Sequence, residues 1–556
     1  MSTELRMLLA IVLSFLVFFV YQAMFGTDTK VHKIEPANKE SVTDRGRATT
    51  DKPIKFLDER AAVENRDDLL GDNDPDRIIT VSTRLYETQI SERMGCFKTF
   101  KLKKYKETPA PDAPMKELIQ LPPREGCTPT VSFLKKGAHG DNYPKTFRAI
   151  VDKDTIDATK TGQELSFSWT SSEGITVTKT YFFIPDSYEI GLRVTVRNLS
   201  DTYLEENLTI SLRNHLKETE NSRYAFSGPA ILIDGTLKEI DADDIADEGA
   251  YTGTITWAAI EDQYFMSAII PDKATKSSLR LDLSPDKLLR TTYVDPAPPV
   301  APKTERTYSY KLYFGPKNLD ILGQVDSELT KIIDFGFFDI IAKPLLYSMN
   351  FIYRFIPNYG IAIIFITMLV KILFWPLSNK SYKSMGQMKR LQPKMAELRA
   401  KYKHDKKMMN QELMNLYKVY KVNPLGGCLP MILQIPVFFA FYKMLYQAIE
   451  LRHAPFFLWI NDLAAPDRLF HFDFQVPLMA PPYGVPVLTI IMGASMFFQQ
   501  KMSPPPGDPT QAKMMMFMPI FFTFIFINFP SGLVLYWLVN NVFSMAQQYY
   551  ITKKTA

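Results

Sequence analysis

This chain has little cysteine and histidine and no nucleotide-binding glycine loop. Three cysteines in 556 residues, at Cys96, Cys127 and Cys428, form no CxxC and share no Cys/His spacing that would hold a metal. The six histidines are scattered without an HExxH pair, no GxSxG elbow occurs, and no glycine-rich loop ends in Lys-Ser or Lys-Thr. That argues against a nucleotide-driven pump. It argues less against an enzyme, because sandwich domains that act on sugars use loop carboxylates with no compact signature. The formal charge of +5 is too small and too unevenly spread for a DNA-binding protein. No cofactor is expected.

What is present is distributed in blocks. The mean hydropathy of −0.10 averages a water-soluble middle with two lipid-compatible ends. Met7 to Phe25 carries no charge and is long enough to cross a bilayer core of roughly 30 Å. It has neither the short apolar region nor the small-residue cleavage site of a signal peptide, so residues 1–26 are expected to form an uncleaved transmembrane anchor. Residues 27–76 are polar, charged and poor in aromatics, and read as a flexible tether.

From 77 to 321 the pattern has period two, as in Leu165, Phe167 and Trp169; Ile190, Leu192, Val194 and Val196; and Tyr308, Tyr310, Leu312 and Phe314. With Asp234-Gly235 as a hairpin turn, the segment is expected to fold as a large all-β sandwich. Cys96 and Cys127 fall within it. In an oxidising compartment a disulfide closing that loop would contribute about 3–4 kcal/mol; two unpaired thiols are the alternative. Residues 322–357 follow with apolar residues at helical spacing, a break at Pro344, and Asp334, Asp339 and Lys343 interrupting them, as in a helix lying in the membrane interface.

Residues 358–556 read as a five-helix membrane core, with spans at about Tyr359–Leu377, Cys428–Gln447, Gly484–Gln499, Met514–Phe529 and Leu533–Ile551. Together with the anchor they predict a polytopic α-helical membrane protein of six transmembrane helices, its all-β domain inserted after the first. The loop 378–427 holds twelve basic residues against three acidic ones, which places it in the cytoplasm, both termini with it and the β domain outside. Loop 448–483 is net acidic, as an external loop allows. Within the basic loop Met385, Met388 and Met395 lie on one helical stripe and Met409 and Leu413 on another. Such an amphipathic hairpin packs its stripes on each other or on headgroups, or offers methionines as a docking surface for varied apolar partners, among a basic field suited to ribosomal RNA or acidic lipid.

Lys371 stands alone inside an otherwise apolar span, GIAIIFITMLVKILFWPL. Its Cα would lie about 10 Å deep, and a lysine stem recovers only about 6 Å of that by snorkelling. An intramembrane charge is a functional-site hypothesis by default. Thr367, Gln434, Thr523, Asn528, Asn540, Asn541 and Gln547 are available to line a wet groove, although polar side chains in lipid more often join helices. Two of the spans, at sixteen residues, are about 24 Å long against a core of roughly 30 Å and would thin the bilayer.

Several stretches carry a family resemblance: NPLGGCLP at Asn423–Pro430, ELRHAPFFLWINDL at Glu450–Leu463, FFQQKMSP at Phe497–Pro504 and FPSGLVLYW at Phe529–Trp537. More loosely, so do VTKTYFFIPDSYEIGLRVTVRN, QYFMSAIIP and YFGPKNLD in the β domain. They resemble the YidC membrane protein insertases of Gram-negative inner membranes, relatives of the Oxa and Alb proteins. The resemblance implies a periplasmic super-sandwich similar to sugar mutarotases but without catalysis, and a core whose groove, open to cytoplasm and lipid, holds a cation. It implies that Lys371 is that cation, where the family usually has arginine, and that Thr367, Gln434, Tyr536 and Trp537 are groove or substrate-contact positions. Trp537 stands where tyrosine is common. The implied partners are nascent membrane proteins, the ribosome, the Sec translocon with its accessory subunits, and the bilayer. The competing reading is a membrane-anchored periplasmic protein that binds or acts on carbohydrate. A solute transporter would show an internal repeat of the Lys371 span, and none is found.

Overall fold

Alternation along the chain becomes alternation across a sheet. The strand Ile175–Phe183 buries every second side chain from Ile175 to Phe183, and its neighbour Glu189–Asn198 buries Ile190, Leu192, Val194 and Val196. The computed structural model describes residues 76–122, 126–134, 141–142, 146–216, 226–420, 422, 429–503 and 509–555. The expected anchor, the expected tether up to residue 75, and Asn423–Cys428 lie outside them. Nineteen strands among the described residues form a five-stranded and a fourteen-stranded sheet. Asp234 and Gly235 take φ of 50° and 78° between Gly228–Ile233 and Thr236–Glu239, the left-handed pair that a two-residue hairpin demands and that Asp-Gly supplies at little cost.

The small sheet packs its aromatic face on the large one. Phe97 and Phe100 meet Phe314, from the strand Thr304–Pro316, with ring centroids 5.5 and 5.0 Å apart, and the Tyr181 hydroxyl donates to the Gly95 carbonyl at 2.8 Å. Cys96, which begins one of these strands, is disulfide-bonded to Cys127, 31 residues on. Replacing both cysteines with serine is expected to lower resistance to urea unfolding of the full-length protein by about 3–4 kcal/mol, the loop-closure value for that length.

A lysine lies inside this core. Lys179 is fully buried, donates to the Met94 carbonyl at 2.6 Å and sits 3.8 Å from the centre of the Phe147 ring. Burial pulls its amine down to about 7 from 10.5. A folded-state pKa below the unfolded one means that the unfolded chain binds the extra proton between those values. Stability therefore rises as pH goes from 7 to 10.5, with a limiting slope of about 1.4 kcal/mol per pH unit. The protection factors of the Ile175–Phe183 amides, taken against their intrinsic exchange rates, should rise with pH across that range, and Lys179→Met should flatten the dependence.

The sandwich passes into helices at Asn318. Its side chain caps α1 (Leu319–Val325) by accepting from Ile321 N, and its amide donates to Glu450 Oε1 at 2.9 Å. Asn350 donates to the same oxygen at 3.2 Å. Burial raises the Glu450 carboxyl above its ordinary range, and the two amides offset part of the rise. Arg452 donates to the carbonyls of Lys106 and Glu107, so one short stretch around Glu450 and Arg452 fastens the helical core to the sandwich.

The expected interfacial segment is divided differently from its prediction. The chain breaks after Val325 into short 3-10 turns at Ser327–Ile332 and Gly336–Phe338, and α2 (Asp339–Phe355) runs through Pro344. A proline this close to a helix start costs about one backbone hydrogen bond and need not break the helix. α2 buries Ala342, Leu346 and Met349 and leaves Ile340, Tyr347, Phe351 and Phe355 exposed on the opposite stripe.

α3 (Tyr359–Leu373) and α4 (Trp375–Lys401) meet at 66°. α3 ends at Leu373, within the predicted span Tyr359–Leu377, because Trp375-Pro376 starts a new helix, where proline is accepted without loss. Among the described residues no single helix is long and apolar enough to cross a membrane alone; α3 and α4 together meet that test. α5 (Lys406–Val419) folds back on α4. α6 (Leu429–Gln447), α7 (Val487–Met502), α8 (Pro509–Phe526) and α9 (Ser531–Thr555) complete the bundle. Large apolar side chains stand exposed along it, Leu369, Ile372, Ile490, Phe498, Phe517, Phe521 and Val542 among them, an outer surface more apolar than water tolerates.

Candidate functional site

α9 carries polar residues at helical spacing on its inner face. Asn540, Asn541, Ser544, Gln547 and Gln548 are all buried, and their partners define a polar seam between α9 and the helices α3, α4, α6 and α7. Lys371 Nζ donates to Ser544 Oγ at 2.7 Å, and Ser544 in turn donates to the Asn540 carbonyl at 2.7 Å. Gln434, on α6, donates to Asn540 Oδ1 at 2.6 Å. Gln547 reaches the Trp375 carbonyl and Asn379 Oδ1, both at 3.4 Å. Asn541 donates to Ser495 on α7 at 2.9 Å.

The Lys371 ammonium has three donors, and among the described residues it has one acceptor and no carboxylate within ion-pair distance. An ammonium so placed attracts an anion or water. Thr367, one turn earlier on the same face, is buried, but its hydroxyl is turned back to the Ile363 carbonyl at 2.6 Å; it shapes the wall and offers no free donor. Tyr536 stacks on Phe441 at 4.4 Å. Trp537 meets Phe438 edge-on at 4.7 Å and Phe526 at 5.1 Å, which places its indole in an aromatic cluster joining α6, α8 and α9.

Asn528 does not belong with these residues. It donates to the Leu478 carbonyl at 2.8 Å and accepts from Ala480 N at 2.8 Å and Arg468 at 3.2 Å. Arg468 also binds the carbonyls of Pro482 and Ile527, at 2.9 and 2.8 Å. The turn after α8 is therefore tied into the loop that holds Arg468, Leu478 and Ala480, and Asn528 is bonded there instead of to the seam residues. Thr523 is likewise used up by its own helix, donating to the Pro519 carbonyl.

The methionine stripes of the hairpin are also placed differently from a docking surface. Leu391, Met395, Leu413 and Val422 are buried in a small core between α4 and α5, with Met388 and Met409 half-buried against them. Met385 is half-buried outside that cluster. The stripes pack on each other, which removes their apolar surface from water. What the hairpin exposes is Met408, Met414, Val419 and Tyr420 among Lys380, Lys383, Lys389, Lys407 and Lys418.

Two family models match. The one described as the YidC periplasmic domain covers residues 78–348, and the 60Kd inner membrane protein covers 351–556. A membrane protein insertase YidC from Citrifermentans bemidjiense is 43% identical over 86% of this chain and 86% of its own. One from Syntrophus aciditrophicus is 40% identical over 99% of each. The chain belongs to the YidC family of membrane protein insertases. A solved structure described as an active YidC insertase with its first transmembrane domain resolved covers 86% of this chain and 94% of that one, at 16% identity and a TM-score of 0.38, too loose a match to carry over any side chain. The family's members are insertases rather than enzymes.

Ser544 and Ser495, with Ser378 and Ser381 buried at the start of α4, were invisible as site residues from the sequence. A serine hardly moves hydropathy. The available signal was spacing, since Tyr536, Asn540, Ser544 and Gln547 recur at three or four residues on α9.

Proposed function

We propose that the chain is a membrane protein insertase that moves nascent transmembrane segments from the cytoplasm into the inner membrane through the polar seam beside Lys371. The single observation that carries this reading is an ammonium that, among the described residues, is held by the Ser544 hydroxyl and by no carboxylate, beside buried amides and hydroxyls and inside a bundle whose exterior is apolar. In this reading α3, α6, α7, α8 and α9 cross the bilayer with the N-terminal anchor as a sixth span, both termini are cytoplasmic, and the sandwich is periplasmic. The seam is a groove hydrated from the cytoplasmic side and stopped outward by the Arg468 and Asn528 network. A short acidic flank is held near Lys371 while the apolar helix passes into lipid.

The energetics favour that order of events. A buried CH₂ is worth about 0.8 kcal/mol, so a twenty-residue apolar helix releases more than the transfer of a short polar flank through a wet, thinned path costs. The exposed lysines of the α4–α5 hairpin are suited to the ribosome, and the Sec translocon with its accessory subunits is a second partner implied by family resemblance. A photocrosslinker at Asn540 should form adducts with the acidic flank of a stalled nascent chain. Adducts confined to the apolar segment, or none, would remove the seam from the route.

A further inference from the structure

On the outside of the bundle α7 and α8 part to leave a cavity of about 350 Å³, lined by Ile490, Gly493 and Phe497 from one helix and Ile520, Thr523 and Phe524 from the other. Its floor is where the helices touch, since a Cβ on Gly493 would lie 2.1 Å from Thr523 Oγ1. The Thr523 hydroxyl is spent on the Pro519 carbonyl at 2.8 Å, so the walls present hydrocarbon alone. A helix of about 10–12 Å diameter cannot enter a space this size. A single extended hydrocarbon chain can.

Each wall ends in a cation at the same end of the bundle. Lys501 continues the Ile490, Phe497 stripe on α7, and Lys513 begins the stripe of Phe517, Ile520 and Phe524 on α8; both lysines are exposed. From Lys501 back to Ile490 is eleven residues, and from Lys513 to Phe524 eleven again. Either run is about 16 Å of helix, close to half of a bilayer core of roughly 30 Å. Two cations at headgroup depth and an apolar slot one leaflet deep have complementary chemistry to one kind of molecule. We propose that this crevice binds an anionic phospholipid of the inner leaflet, with an acyl chain between α7 and α8 and the phosphate between Lys501 and Lys513. The proposal rests on the reading of these helices as membrane spans.

The test reconstitutes the full chain in phosphatidylcholine vesicles doped with phosphatidylglycerol bearing a photoactivatable acyl chain, and maps the adducts by peptide. The expected result is labelling at Ile490–Phe497 and Ile520–Phe524, stronger than with the matching phosphatidylcholine probe. Labelling should fall by about thirtyfold in the Lys501→Gln/Lys513→Gln variant, since each surface lysine near anionic lipid is worth about five- to sixfold. Ile520→Trp, at an exposed position, should block the slot with the lysines intact. Equal labelling by both probes, or no change in the double variant, overturns the site. Labelling of the outward Phe498 and Phe521 without the crevice overturns it but spares the membrane reading, and no labelling of either overturns both. Adducts between the crevice and a nascent chain in place of lipid also overturn it.

Discussion

Lys371→Glu is expected to reduce insertion of substrates with acidic flanks by tenfold or more, whereas Lys371→Arg retains most of it and substrates with neutral flanks are little affected. Two unit charges about 4 Å apart interact by about 4 kcal/mol at an effective dielectric constant near 20. Reversing the sign turns that attraction into repulsion, and even a small part of it exceeds the 1.4 kcal/mol that makes a factor of ten. Ser544 Oγ accepts from Lys371 in the native site and can donate to a glutamate instead, so the side chain keeps a local partner and the variant folds. Arginine preserves the charge and adds a planar fork. Insertion into inverted vesicles, scored with matched substrates that differ only in the flank, measures the effect. Equal insertion by the wild type and the Glu variant would show that the charge has no part in the route.

The elements that could be read in advance were those with a strong period. Ile190, Leu192, Val194 and Val196 announce a strand because one face of a sheet must be buried, and Asp234-Gly235 announces its turn because few other pairs tolerate two left-handed residues. Lys371 was legible because a charge in an apolar run has few inexpensive solutions. What could not be read were pairings across the chain. Nothing local tells Asn528 that its amide faces Leu478 and Arg468 rather than Lys371, and nothing around Glu450 says that Asn318, more than a hundred residues earlier, will donate to it. The methionine stripe of the hairpin had two physically sound outcomes, packing inward or docking outward, and only the fold-back of α5 on α4 decides for Met395 and Leu413. Boundaries failed where proline acts by position. Pro376 starts a helix and Pro344 is carried within one.

The largest structural effect is expected at Gly360, the second residue of α3. A Cβ placed there would lie 2.0 Å from the ring of Phe456, which packs against the core from the loop after α6. That separation is inside any van der Waals contact, so even alanine must push the ring or the helix aside, and leucine must do both. Overpacking of this kind costs about 1–3 kcal/mol or more. Gly360→Leu should exceed the upper figure, because the Asn358 side chain, accepting from Ile361 N at 3.1 Å, fixes the helix start and leaves little freedom to slide. Low yield of protease-resistant protein is the expected readout. Misfolding in general is separated from this contact by a second change: Phe456→Ala removes the obstructing ring, and the Gly360→Leu/Phe456→Ala pair should lose markedly less stability than the two single variants added together. Additive losses would mean that the ring is not what excludes a side chain from position 360. Because Lys371 lies three turns along the same helix, the rescued pair should also recover insertion of acidic-flank substrates, tying the seat of α3 on the loop after α6 to the position of the ammonium within the seam.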